Sequence, residues 1–303
     1  MTNLSINFCE TEFKNPLVIA SGPFGNGREY SEYFPLDIVG AITSKSVTRE
    51  PRDGNPSSRV VRTSSGVLNA IGLQNTGSKA FIADDLPFLQ AAGTHILVNI
   101  SGSTIDEYVG IAAALDGQVW GLEANISCPN VEGEGMAFGQ DPEVAAAITA
   151  AMRKVTKKSK LIVKLTPNVT DIAGIASAVE AAGADAISLI NTVSAMRINP
   201  ATRKFVIANK TAGLSGPAIL PVAIRCVYQV AQAVKIPIIG MGGVSSGLDV
   251  AEVMLAGASL VGIGTVLMSD PDNDAPVRIL RELEGYCEEQ GIKDVTELIG
   301  AVR

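Results

Sequence analysis

The chain has 303 residues, 47% hydrophobic and 18% charged, with a formal net charge of −7. That length suits one large α/β domain with a sizeable core, and the acidic balance argues against a nucleic-acid surface, which needs clustered Lys and Arg. No membrane-length apolar run or secretory leader is evident, and four scattered cysteines with a single histidine argue against a disulfide framework or a metal site held by this chain alone, so a soluble cytoplasmic protein is expected.

In chain order, residues 4–8 and 12–14 alternate in polarity and predict a hairpin closing one end of the fold. Eight apolar runs follow, at 17–20, 38–44, 95–100, 122–126, 161–165, 186–190, 237–240 and 260–263. Most are continuously apolar, the pattern of parallel strands covered on both faces. Amphipathic helices separate them. Thr104 and Glu107 form one capping signature, Asp141-Pro142 opens a second helix, and residues 171–182 end at Gly183. Ser246 and Asp249 start another helix. Eight strand–helix units predict a single-domain (β/α)8 TIM barrel over residues 1–303, with an N-terminal β-hairpin and loop insertions at its C-terminal face. A doubly wound sheet is the alternative, weakened because no G-x-G-x-x-G follows the first strand. The insertions are expected at residues 49–62 and 194–216.

Barrel active sites lie where strands end. Read at those positions, the chain offers Ser21, Lys45, Ser46, Asn99, the segment Asn125-Ile-Ser-Cys128-Pro-Asn130, Lys164, Ile190, Asn191 and Thr192. Glycines follow the last two strands, at Gly240-Met-Gly242-Gly243 and Gly262-Ile-Gly264-Thr265. Such glycines let backbone N–H groups approach a phosphate, or else simply make tight turns. Lys164 interrupts an apolar strand, where an ammonium needs an anionic or polar partner. It reads as an electrophile, a Schiff-base nucleophile, a cofactor counter-charge or half of a buried ion pair. The amides Asn69, Asn99, Asn125, Asn130 and Asn191 offer donors and acceptors together, suiting a planar heterocycle. Cys128 stands between a strand end and a stretch containing Gly133, Gly135 and Gly139. Without a neighbouring histidine it reads as a base rather than a Cys–His nucleophile. Cys9, Cys226 and Cys287 read as packing residues, and His95, at a strand start, as structural.

Together, Ser44-Lys45-Ser46, Asn69-Ala-Ile-Gly-Leu-Gln-Asn75, Asn125-Ile-Ser-Cys-Pro-Asn130, Leu214-Ser-Gly-Pro-Ala218 and Gly240-Met-Gly-Gly-Val244 resemble class 1 dihydroorotate dehydrogenase. The segments 69–77 and 214–218 look like the type 1B catalytic subunit. Thr76 stands where proline is common in the family, and Ser46 where threonine or alanine is usual. The resemblance implies FMN-dependent oxidation of dihydroorotate to orotate in pyrimidine synthesis, with Cys128 as general base. It assigns the substrate to Lys45, Asn69, Ala70, Ile71, Gly72, Leu73, Asn125, Asn130, Asn191 and Thr192. FMN falls to Ser21, Lys45, Ser46, Asn99, Asn125 and Lys164, with Ile190, Gly216, Gly242, Gly243, Gly264 and Thr265. It also implies an electron-transfer subunit carrying FAD and [2Fe–2S], NAD+ as final acceptor, and a homodimer of this chain inside a heterotetramer. A fumarate-reducing type 1A enzyme, a Schiff-base aldolase using Lys164 and a non-catalytic flavin-binding subunit remain alternatives.

Overall fold

The computed structural model describes residues 2–126 and 138–303. Eight parallel strands close into a barrel: β1 (Leu17–Ile19), β2 (Ala41–Thr43), β3 (His95–Ile100), β4 (Gly121–Asn125), β5 (Lys160–Leu165), β6 (Ala186–Leu189), β7 (Ile238–Met241) and β8 (Leu260–Ile263). They pair in sequence order, with β8 returning to β1, so the doubly wound alternative is excluded. Nearly every strand residue is buried, because the barrel interior faces one side and the helices cover the other.

Two strands start later than the apolar runs suggest, for identifiable reasons. Ile38 belongs to a short 3-10 turn (Leu36–Ile38) whose last carbonyl accepts from Asn15 Nδ2 at 2.8 Å. At Gly40 the backbone passes so close to Asn15 that a Cβ would lie 2.2 Å from its carbonyl oxygen, and the strand begins only after it. Pro237 has no N–H to donate, so β7 begins at Ile238.

The N-terminal hairpin pairs Ile6–Phe8 with Thr11–Phe13 and closes the strand-start end of the barrel. Phe13 packs edge-on to Trp120, with ring centroids 4.9 Å apart. His95 joins them with its Nε2 2.9 Å from Glu12 O, a structural histidine as expected. Cys226 and Cys287 are buried. The Cys9 thiol donates to Asp185 O, and burial followed by the Asp185 charge pushes it up to about 12.

The helix starts follow their capping residues. Asp141 and Asp171 each accept from backbone N–H groups of the first turn, and Ser246 with Asp249 forms a reciprocal capping box. Thr104 also caps its helix, but Glu107 reaches one residue further back, to the N–H of Ser103. No helix among the described residues is long and apolar enough to cross a membrane.

The two insertions are not independent loops, and the first runs on past its expected end at residue 62, because Gly66–Asn69 pairs back on Val60–Thr63. Val193–Met196, Thr211–Ser215, Gly66–Asn69 and Val60–Thr63 form one antiparallel sheet in that spatial order. Leu68, Ala70, Ile207 and Ala212 make a small core of their own beneath it. This second sheet lies over the C-terminal ends of the barrel strands.

Candidate active site

Barrel and second sheet together enclose a cavity of about 420 Å3. Ser21 enters it beyond β1, Lys45 and Ser46 beyond β2, Asn125 at the end of β4 and Lys164 from within β5. Ile190, Asn191 and Thr192 line it beyond β6. From the insertions come Asn69, Ile71, Gly72 and Leu73 on one side and Gly216 on the other. Gly242, Gly243, Gly264 and Thr265 complete the end formed by β7 and β8. Seventeen of the residues chosen from the sequence therefore converge, although they come from almost every strand.

Two chosen residues do not reach the cavity. Ala70 is fully buried in the small core under the second sheet. Asn99 is fully buried one layer behind Ser46, whose hydroxyl donates to Asn99 Oδ1 at 2.5 Å. Cys128 and Asn130 lie outside the described residues. The backbone on either side of that gap is fixed: Tyr108 Oη donates to Asn125 O at 2.8 Å, and Gly139 N to Ile126 O at 2.9 Å.

Lys164 answers the question its sequence position raised in two ways at once. It lines the cavity, and its Nζ lies 3.8 Å from Glu123 Oε1 and 3.3 Å from Ser21 Oγ. Lysine and glutamate are 4% and 1% exposed, so the charges meet where water does not screen them. Glu123 was missed by the sequence reading, though the signal that flagged Lys164, a charge inside an apolar strand, was present there too.

The second lysine sits at a wetter position. Lys45 is half-buried, and burial followed by the nearby Arg59 charge lowers the pKa of its ammonium below the usual lysine range. Among the described residues no carboxylate pairs with it, which suits a cation waiting for an anionic ligand.

At the opposite end, Gly216, Gly242 and Gly243 have φ of 95°, 130° and 86°, a region that disfavours any side chain. A Cβ on Gly243 would lie 2.7 Å from Leu220 N and 2.9 Å from Gly216 O. Among the described residues the N–H groups of Gly242, Gly243, Val244, Gly264 and Thr265 donate to no protein acceptor. Unspent backbone donors on a side-chain-free surface form a cradle for an anion.

The sequence model of the dihydroorotate dehydrogenase family matches residues 3–286. The chain belongs to the dihydroorotate dehydrogenase family. A family protein named dihydroorotate dehydrogenase B (NAD(+)), catalytic subunit, from Pelobacter propionicus is 50% identical over 302 residues, covering 99% of this chain and 98% of that one. Proteins of the same name from Alkaliphilus metalliredigens and Geobacter sulfurreducens are 50% and 48% identical, each over 99% of this chain and 99% and 98% of their own. The solved structure of a dihydroorotate dehydrogenase from Eimeria tenella in complex with ferulenol superposes with a TM-score of 0.82, covering 99% of this chain and 88% of that one. At 23% identity it supports the barrel and nothing finer. Family membership replaces the aldolase reading of Lys164.

Proposed function

We propose that this chain is the catalytic subunit of an NAD+-linked, type 1B dihydroorotate dehydrogenase, oxidising (S)-dihydroorotate to orotate in pyrimidine synthesis. The observation that carries the reading is the convergence of amides, two lysines and a backbone anion cradle on one cavity, in a family member with near full-length relatives of that name. The fumarate-reducing type 1A alternative lacks this support.

The residues present fit FMN. The cradle of Gly216, Gly242, Gly243, Gly264 and Thr265 suits its phosphate, and Lys164, Ser21 and Ser46 supply polar groups on the cavity floor. When bound, FMN supplies the hydride acceptor for the reaction. The remaining work falls to the chain's own groups. Lys164 keeps a cation beside the flavin position, and Ile190 offers an apolar surface. Asn69, Asn125 and Asn191 present amides that match the alternating N–H and C=O groups of a dihydropyrimidine. Lys45 meets the substrate carboxylate. Cys128 takes the proton from the ring carbon beside the carbonyl, an acidic position within reach of a thiolate base. A proton and a hydride leave adjacent carbons, and a C=C bond remains.

The same proposal places FAD and a [2Fe–2S] cluster on a partner subunit that passes the electrons to NAD+. This chain has four cysteines, and the three within the described residues lie in separate elements. A homodimer of this chain within a heterotetramer completes the assembly, and the cytoplasm is its expected place.

One assay tests the reading. The purified chain should be yellow, oxidise dihydroorotate with a mediator dye, leave fumarate untouched, and reduce NAD+ only when its partner is added. Robust fumarate reduction by the chain alone would overturn the type 1B assignment.

The lysine at the substrate end adds a pH signature. Because the Lys45 pKa is lowered, its charge is complete below that value and is lost as pH rises through it. KM for dihydroorotate should therefore climb on the alkaline side, at a lower pH than an ordinary lysine would titrate. Lys45→Arg, which stays charged, should flatten that limb even if its KM is higher throughout. An identical alkaline limb in the arginine variant would remove Lys45 from the substrate site.

A further inference from the structure

Glu123 lies in β4 among apolar neighbours, and three other strands direct polar groups at its carboxylate. Asn99 Nδ2 of β3 donates to Oε1 at 2.6 Å, and Ser188 Oγ of β6 donates to Oε2 at 2.7 Å. Lys164 Nζ of β5 stands 3.8 Å from Oε1. The barrel register brings these groups together: Asn99 pairs with Glu123, and Lys164 pairs with both Asn125 and Ser188. A buried carboxylate is costly unless donors surround it, and here they do.

The chemistry of a carboxylate has a directional consequence. It only accepts, so the Asn99 amide must turn its NH2 toward Glu123 and its carbonyl toward the cavity side. Ser46 then has to donate to that carbonyl, as it does at 2.5 Å. With its proton spent there, Ser46 Oγ can act only as an acceptor toward the cavity, and Asn125 Nδ2 approaches it at 3.5 Å. One buried negative charge thus dictates the donor–acceptor order of three residues ending at the cavity wall.

We propose that Glu123 is a positioning residue for cofactor and substrate. It holds the Lys164 ammonium in place and fixes the polarity of the Asn99–Ser46–Asn125 relay, while touching neither ligand itself. The inference rests on the functional reading above. A structural ion pair alone would stabilise the barrel without setting the binding properties of the cavity, and the two roles separate by experiment.

Glu123→Gln keeps the shape but removes the charge that holds Lys164 and gives the side chain an NH2, so the orientation of the Asn99 amide is no longer dictated. Titrating apoprotein with FMN by flavin fluorescence should show a dissociation constant about ten- to a hundredfold higher, the usual scale for losing a group that orients a direct ligand. In a Lys164→Met background the same substitution should cost about threefold or less, because one of the two things it positions is already gone. The exchanged pair Glu123→Gln with Asn99→Asp returns a carboxylate that accepts from Ser46, and should recover much of the lost affinity. If Glu123→Gln alone does not fold, this exchanged variant carries the test by itself. FMN binding within about twofold of the parent in Glu123→Gln, or a folded exchanged variant with no recovery, would overturn the proposal. A parent protein that takes up no flavin would overturn the functional reading with it; a flavin-binding parent and an unaffected variant would overturn this proposal alone.

Discussion

Cys128→Ala should lower dihydroorotate turnover by about a hundred- to ten-thousandfold, the range a positioned general base contributes. Bound flavin should remain at parent stoichiometry. The thiol follows the end of β4 by three residues, and the same strand end delivers Asn125 to the cavity wall. Just before that segment Asn125 O accepts from Tyr108 Oη and Ile126 O accepts from Gly139 N, so the strand end itself is held in place. Loss of the base should appear in the rate of flavin reduction measured by stopped flow, with little change in substrate affinity, since in the proposed function binding falls to the amides and Lys45. Cys128→Ser gives a finer result. A hydroxyl is a much weaker acid than a thiol, so the serine variant should regain activity only as pH rises. Parent-like flavin reduction in the alanine variant would sink the base assignment.

The second large effect is expected at the anion cradle. Gly243→Ala adds a methyl carbon whose nearest neighbours are backbone atoms of Leu220 and Gly216, which cannot swing aside as a side chain would. It also forces a residue with a Cβ to hold φ near 86°, at a cost of about 1–2 kcal/mol. Any relief of that strain displaces the loop whose N–H groups form the cradle. FMN affinity should fall at least about tenfold, equivalent to about 1.4 kcal/mol. The ratio of flavin to protein absorbance after purification reads this directly. Gly291→Ala supplies the control. That glycine caps the last long helix in the left-handed conformation, with nothing within 4 Å of its would-be Cβ. It should lose about 1 kcal/mol of stability and no flavin. Equal flavin loss in both variants would show that general destabilisation, not the cradle, was responsible.

The barrel was legible because its signal is local. Each strand is a short apolar run, each helix has its own cap, and eight repeats of the pair leave one architecture. The N-terminal hairpin and the structural role of His95 could be read for the same reason. The second sheet was not legible. Its strands are short, exposed on one side and carry residues such as Arg62 and Asn69, and Gly66–Asn69 pairs with Thr211–Ser215, far away in sequence. The one local clue was the serine pair Ser64-Ser65 between two short valine-containing runs, since Thr63 pairs with Gly66 across a two-residue turn. In the site, residues at strand ends converge on one cavity because barrel topology determines where they point. Asn99 and Ala70 lie one layer behind it, because position along a strand does not tell which layer a side chain occupies. Glu123 was overlooked inside an otherwise apolar run whose only charge it was.

The pairing of the two insertions constrains how such an enzyme can be altered. Residues 66–69 and 211–215 share a ladder, and each insertion contributes cavity-lining residues beside it. Lengthening one strand by a single residue would turn its side chains to the opposite face unless the other changed in step. Grafting either insertion alone from a relative with different preferences should therefore yield a misregistered cover rather than a new specificity. The two segments form one inheritable module, split in the gene yet exchanged successfully only as a pair.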